Sequence, residues 1–101
     1  MATFVILGNW TEKGAKDFAG APERSRVQEA AAAAMGGRIV GTWWTLGQYD
    51  FVSVVEAPDD ATITAGMLVL GAAGNARTVT MRAFGLSEME QIVATAKSAG
   101  G

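Results

Sequence analysis

Neither cysteine nor histidine occurs among the 101 residues of the chain. Their absence removes disulfides, thiolate nucleophiles, Ser-His-Asp and Cys-His systems, ordinary zinc sites and histidine-ligated haem. Charge is also scarce: 18% of residues are charged, against roughly 25% in ordinary soluble domains. The eight basic residues are scattered and the net charge is −2, so no electrostatic footprint for nucleic acid is present. No apolar run approaches the roughly 18 residues of a membrane span, and no basic segment precedes the N-terminal apolar stretch. No nucleic-acid or membrane partner is therefore expected, and the expected location is the cytoplasm. No metal or organic cofactor is expected. The adjacent acids Asp59 and Asp60 stand at a helix start, where they oppose the positive end of the macrodipole, in preference to an oxygen-ligand metal site.

What the chain has is apolar surface, since half of its residues are hydrophobic. At this length one domain, residues 1–101, is expected, and folding buries only about 60–65% of the surface an unfolded chain exposes. Too few charges remain to coat a monomer. The surplus points to a partner, most economically a second copy of the chain.

The hydrophobic pattern predicts the elements. Phe4-Val5-Ile6-Leu7 is apolar without alternation, which suits a central strand over Thr3 to Gly8 covered on both faces. Asn9 or Thr11 caps a short helix running to about Phe18, and Pro22 opens the next. There Val27, Ala30, Ala31, Ala34 and Met35 form one apolar stripe, which Gly36-Gly37 ends. Runs rich in β-branched and aromatic residues, Arg38 to Leu46 and Phe51 to Glu56, flank Gly47-Gln48-Tyr49-Asp50 as a hairpin. A third helix opens at Pro58-Asp59-Asp60, carries Ile63, Met67, Leu70 and Gly71, and ends near Gly74. Its Gly66 and Gly71 are expected to allow close packing on the sheet. Ala76 to Phe84 alternates as a strand, Ser87 and Glu90 are expected to form a capping box for a last helix, and Gly100-Gly101 is expected to fray.

The order β-α-β-β-α-β plus a terminal helix is the ferredoxin-like α+β pattern. With strand order 4-1-3-2 the sheet is wholly antiparallel, its helices cover one face, and the other is bare. Two bare faces packed together make a dimeric α/β barrel. In this topology the end of the first strand, the hairpin turn and the start of the last strand share one edge. That edge gathers Asn9, Trp10, Thr11, Gln48, Tyr49, Asp50, Asn75, Arg77 and Thr78. Arg77 is suited to a carboxylate or enolate, Asn9 to a developing oxyanion, and Tyr49 with Asp50 to a proton relay. Equally, Asp50 can pair with Arg77 or cap backbone N–H groups of the turn, and the tryptophans can serve packing. Trp43 and Trp44 point to opposite faces, one under the helices and one into the dimer cleft; alternation alone does not say which. Gly71-Ala72-Ala73-Gly74 lacks the strand context and lysine of a phosphate loop, and Lys13, Lys16 and Lys97 fall on exposed helical faces.

Gly47-Gln48-Tyr49-Asp50, Gly8-Asn9-Trp10-Thr11, Val55 to Asp60 and Gly74-Asn75-Ala76-Arg77-Thr78 together resemble the GYD domain family, from about Thr3 to Ile92. The resemblance implies a ferredoxin-like fold in the dimeric α/β-barrel superfamily and transfers no catalytic residue. Three functions follow. A homo-oligomeric module binds a small anionic or aromatic ligand at Asn9, Trp10, Trp43, Trp44, Tyr49, Asp50, Asn75 and Arg77. Alternatives are a cofactor-independent monooxygenase or isomerase, and a purely structural assembly module.

Overall fold

In the computed structural model, which describes residues 1–100, the chain runs β1 (Ala2–Trp10), α1 (Glu12–Lys16), a 3-10 turn (Phe18–Gly20), α2 (Ala21–Ala34), β2 (Arg38–Trp44), β3 (Phe51–Ala57), α3 (Asp60–Ala73), β4 (Ala76–Ala83) and α4 (Leu86–Ala99). Of the expected terminal pair, Gly101 lies outside the described residues. The strands form one antiparallel sheet in the order β2-β3-β1-β4, the order that the βαββαβ pattern predicts. The fold is α+β.

Strand β1 is central, and its register divides the sheet. Phe4 faces Val55, Ile6 faces Ser53 and Gly8 faces Phe51, all on the side that α2 and α3 cover. Phe4, Ile6, Val55 and Ala57 are buried there with Ile63 of α3, and Ala2, Ile39 and Met67 pack around them. At Gly8 the Phe51 ring lies flat over the backbone: an added Cβ would sit 2.0 Å from Phe51 Cζ. The intervening residues Val5, Leu7, Val52 and Val54 face the other way, beside Val79 and Met81 of β4. Nothing in the described chain covers that face.

The helix boundaries follow their caps. Thr11 Oγ1 accepts from Gly14 N–H at 3.2 Å and donates to the Gly74 carbonyl at 2.6 Å, tying α1 to the end of α3. Gly14 is buried so close to Asn75 that a Cβ would lie 2.0 Å from its carbonyl oxygen. Pro22 occupies the second position of α2, and Gly36 turns the chain out of it at φ +84°. Asp59 caps α3, accepting from Thr62 N–H and hydroxyl at 2.8 and 2.7 Å, and these bonds hold its carboxyl below the ordinary range. Gly74, at φ +80°, ends α3.

Three local expectations are corrected. No residue of α2 is buried: Ala21, Arg24, Ser25, Gln28 and Ala32 are half-buried, while Val27, Ala31, Ala34 and Met35 of the expected stripe line the cavity beneath the helix yet remain exposed, and Ala30 lies outside it. The stripe faces the sheet across the cavity without being buried against it, and Arg24, Ser25 and Gln28 share that side. Gly66 and Gly71 do not serve close packing: a Cβ at either would meet nothing within 4 Å. Helix α4 starts two residues before the expected box. Gly85 is its N-cap, Glu88 reaches back to Gly85 N–H at 3.4 Å, and Ser87 lies inside the first turn. Glu88 prevails over Glu90 because it also pairs with Arg82 at 3.0 Å, the bond that first lowers its carboxyl pKa.

Beyond that pair α4 stands clear of the domain, every side chain from Met89 to Ala99 being exposed. The radius of gyration is accordingly 15.7 Å, against about 13 Å for a compact chain of this length.

Candidate functional site

The turn edge forms as the topology requires. Asp50 N–H donates to the Gly8 carbonyl at 2.8 Å and Thr45 N–H donates to the Asp50 carbonyl at 2.9 Å, closing the 45–50 turn onto the end of β1. The Asp50 carboxylate accepts from Trp10 N–H at 2.9 Å. Asp50 thus caps backbone. Thr45 Oγ1 donates to the Tyr49 carbonyl at 2.6 Å, and Gly47 supplies the positive φ of +106° at the exposed tip.

The eight candidate residues do not meet at one point. Trp10, Trp44 and Asn75 stand on the helix-covered side. Asn9 and Arg77 are direct cross-strand partners on the open side, and Trp43 joins that side in β2. Tyr49 and Asp50 remain in the turn. Arg77 forms no ion pair among the described residues, so Asp50 and Arg77 are not partners.

A β-bulge decides the tryptophans. In β2 Ile39 faces Val55 and Gly41 faces the adjoining Val54, so Val40 is an extra residue that reverses which side the next residues take. Thr42 and Trp44 therefore join Ile39 on the helix side, and Trp43 turns to the open face with its ring folded over Gly41. Trp43 is 54% exposed.

Between the sheet and helices α2 and α3 lies a cavity of about 650 Å³. Trp10, Trp44 and Phe51 wall one end, Ile6 and Ile39 form its floor, and Met67 its roof. The floor's hydroxyls satisfy each other, Thr42 Oγ1 and Ser53 Oγ lying 2.9 Å apart. Arg24, Ser25 and Gln28 enter from α2. Sequence reading missed these three by following the apolar stripe alone; the signal available was Arg24 and Gln28 at i and i+4, a face that Ala31 and Met35 continue.

Among the described residues no cluster of three or more acidic side chains is arranged to hold a metal ion, and no helix is long and apolar enough to cross a membrane. Asp59 is spent on its cap. Lys13 Nζ donates to the Ala73 carbonyl at 2.8 Å, at the end of α3.

The class defined by this geometry is an α+β domain with one antiparallel sheet, helices on one side and an apolar face left open. The chain belongs to the GYD domain family, whose model matches residues 4–93. A protein of Thermus thermophilus, named glutamine synthetase and cystathionine beta-lyase binding protein, is 38% identical over 90 residues, which cover 88% of this chain and 95% of that relative. A crystal structure of a Thermus thermophilus protein is similar at 26% identity and a TM-score of 0.48, over 84% of this chain and 95% of the other.

Proposed function

We propose that this protein is a self-assembling binding module: two copies pack their open sheet faces together, and the assembly docks on other proteins. The supporting observation is the excess of exposed surface, much of it at large hydrophobic residues. The chain exposes 6601 Å², whereas about 5,400 Å² is usual for a compact chain of this mass. The difference exceeds the roughly 800 Å² that each partner contributes to a standard interface. Trp43, Val79 and Met81 on the open face and Leu86, Met89, Ile92 and Val93 on α4 supply apolar contact area. The Thermus relative is named for binding two enzymes, so glutamine synthetase and cystathionine beta-lyase are the first partners to try.

Light scattering on the purified protein tests the assembly, with a dimer or larger oligomer expected; a monomer at micromolar concentration overturns it. Biosensor binding of each purified enzyme tests the docking, and no signal with either removes that half of the reading. A second, finer reading places a small anion between the two sheets. It is favoured by Arg77, exposed and without an ion-pair partner among the described residues, directly opposite Asn9 on the open face.

A further inference from the structure

The cavity under the helices has the volume of a small-molecule site, within the roughly 300–1,000 Å³ that such pockets span. Its walls are mostly apolar, and its cation stands at one end. Chain direction puts it there: β1 delivers Trp10 to the turn edge, and α2 begins at that edge before running back along the sheet. Arg24, one turn into α2, therefore shares an end of the cavity with Trp10, Trp44 and Phe51. Trp44 and Phe51 are cross-strand partners, and Phe51 is opposite Gly8, so the aromatic rings line one patch of the helix-side floor.

Every charged group at the cavity has one ion-pair partner, Arg24 included, whose partner is Asp17 at 2.9 Å. Glu23 and Glu56 touch it, but each pairs with an arginine, Arg26 at 2.8 Å and Arg38 at 2.5 Å. Arg24 is the cation that lines it, with a side chain only 22% exposed. Its Nη1 donates to the Asp17 carbonyl and carboxylate, both at 2.9 Å. Its Nε and Nη2 have no partner among the described residues. A guanidinium offers five N–H donors in a planar fork, so a second carboxylate can be received on the unused edge. Ser25 and Gln28 flank it with further donors. The first turn of α2 adds its positive dipole end, left without a side-chain cap at Gly20.

We propose that this cavity is a binding site for an aromatic monocarboxylate, its ring among Trp10, Phe51 and Trp44 and its carboxylate on Arg24, Ser25 and Gln28. Gly66 keeps the site open. It lines the cavity from α3, and a Cβ there meets nothing within 4 Å. The site lies on the opposite side of the sheet from the proposed assembly interface, and neither proposal depends on the other.

The probe is 3-phenylpropionate, with 3-phenylpropanol as its uncharged counterpart, titrated into the full-length protein by calorimetry and tryptophan fluorescence. The acid is expected to bind at least about tenfold more tightly than the alcohol, the difference a charge-assisted fork supplies. Arg24→Gln is expected to remove that preference, weakening the acid at least about tenfold more than the alcohol. Gly66→Leu fills the cavity and is expected to abolish binding of both, with a melting temperature no lower than that of the parent. This variant keeps the test open should Arg24→Gln fail to fold, since Arg24 also ties Asp17 to α2. No binding of either compound at millimolar concentration overturns the proposal. So does unchanged binding in Gly66→Leu, which places the probe elsewhere, or an acid preference that survives Arg24→Gln.

Discussion

The two sides of the sheet are built from the same kinds of residue and end differently. On one side Phe4, Ile6 and Val55 are buried under α2 and α3; on the other Val5, Leu7, Val52 and Val54 face outward beside Val79 and Met81. Strands of one sheet normally alternate when one face is to be wet, and these central strands do not. Apolar surface alone therefore does not tell which side the chain covers itself. Helices supplied by the βα connections cover one side, and no element of the described chain covers the second.

The comparison breaks first on stability. Phe4→Ala removes the most buried ring of the core and is expected to cost about 3–5 kcal/mol, read from the urea midpoint. Leu7→Ala on the open side is expected to cost much less at nanomolar protein and more as concentration rises, because its burial comes from association. Equal, concentration-independent losses at both positions would erase the difference between the faces. Next in size is Trp43→Glu, which puts a charge on the β2 edge of the open face. Association is expected to weaken by about 2 kcal/mol or more, near thirtyfold, with the far-ultraviolet circular dichroism unchanged. An unaltered mass by light scattering would move the interface away from Trp43.

Asp50→Ala removes the acceptor of Trp10 N–H and should cost about 1–2 kcal/mol, with hydrogen exchange quickening at Trp10 ahead of the rest of β1. Protection lost evenly along the strand would mean that the turn does not staple that edge. The smallest effect expected is that of pH. Asp59 and Glu88 both titrate below their ordinary values of 3.8 and 4.5, held by the Thr62 hydroxyl and by Arg82 respectively. Their contributions are whole above those values and are lost as pH falls below them through the folded-state pKa. Both carboxylates are at the surface, so a shallow acid loosening of the first turns of α3 and α4 is expected, with the core signal unchanged. A loosening that begins above pH 5 would point to another group.

Much of this was legible in the residues. Asp59, Gly36 and Gly74 marked helix ends, and Thr11 was one of two candidates for another, through cap chemistry that is local and needs no knowledge of the rest of the fold. The unbroken apolar run Phe4 to Leu7 marked the central strand for the same reason. The candidate edge was legible through connectivity, since alternating strand directions put Asn9, Asp50 and Arg77 at one end. Its division into two sides was not, because Trp10 and Asn9 differ only by pleat and the pleat must be anchored somewhere. The Ser87 to Glu90 box was misplaced because the partner that decides it, Arg82, comes from another element.

The sequence by itself determined the element order, the ends of α2 and α3, the antiparallel strand order and the excess of apolar surface over charge, set by local stereochemistry, connectivity and composition. Only the tertiary structure decided the rest. The bulge at Val40 put Trp44 under the helices and Trp43 outside, because one inserted residue reverses the pleat for every residue after it. The stand-off of α2 from the sheet left its stripe unburied and brought Arg24 and Gln28 to the same cavity, because a few alanines bury too little area to draw the helix down.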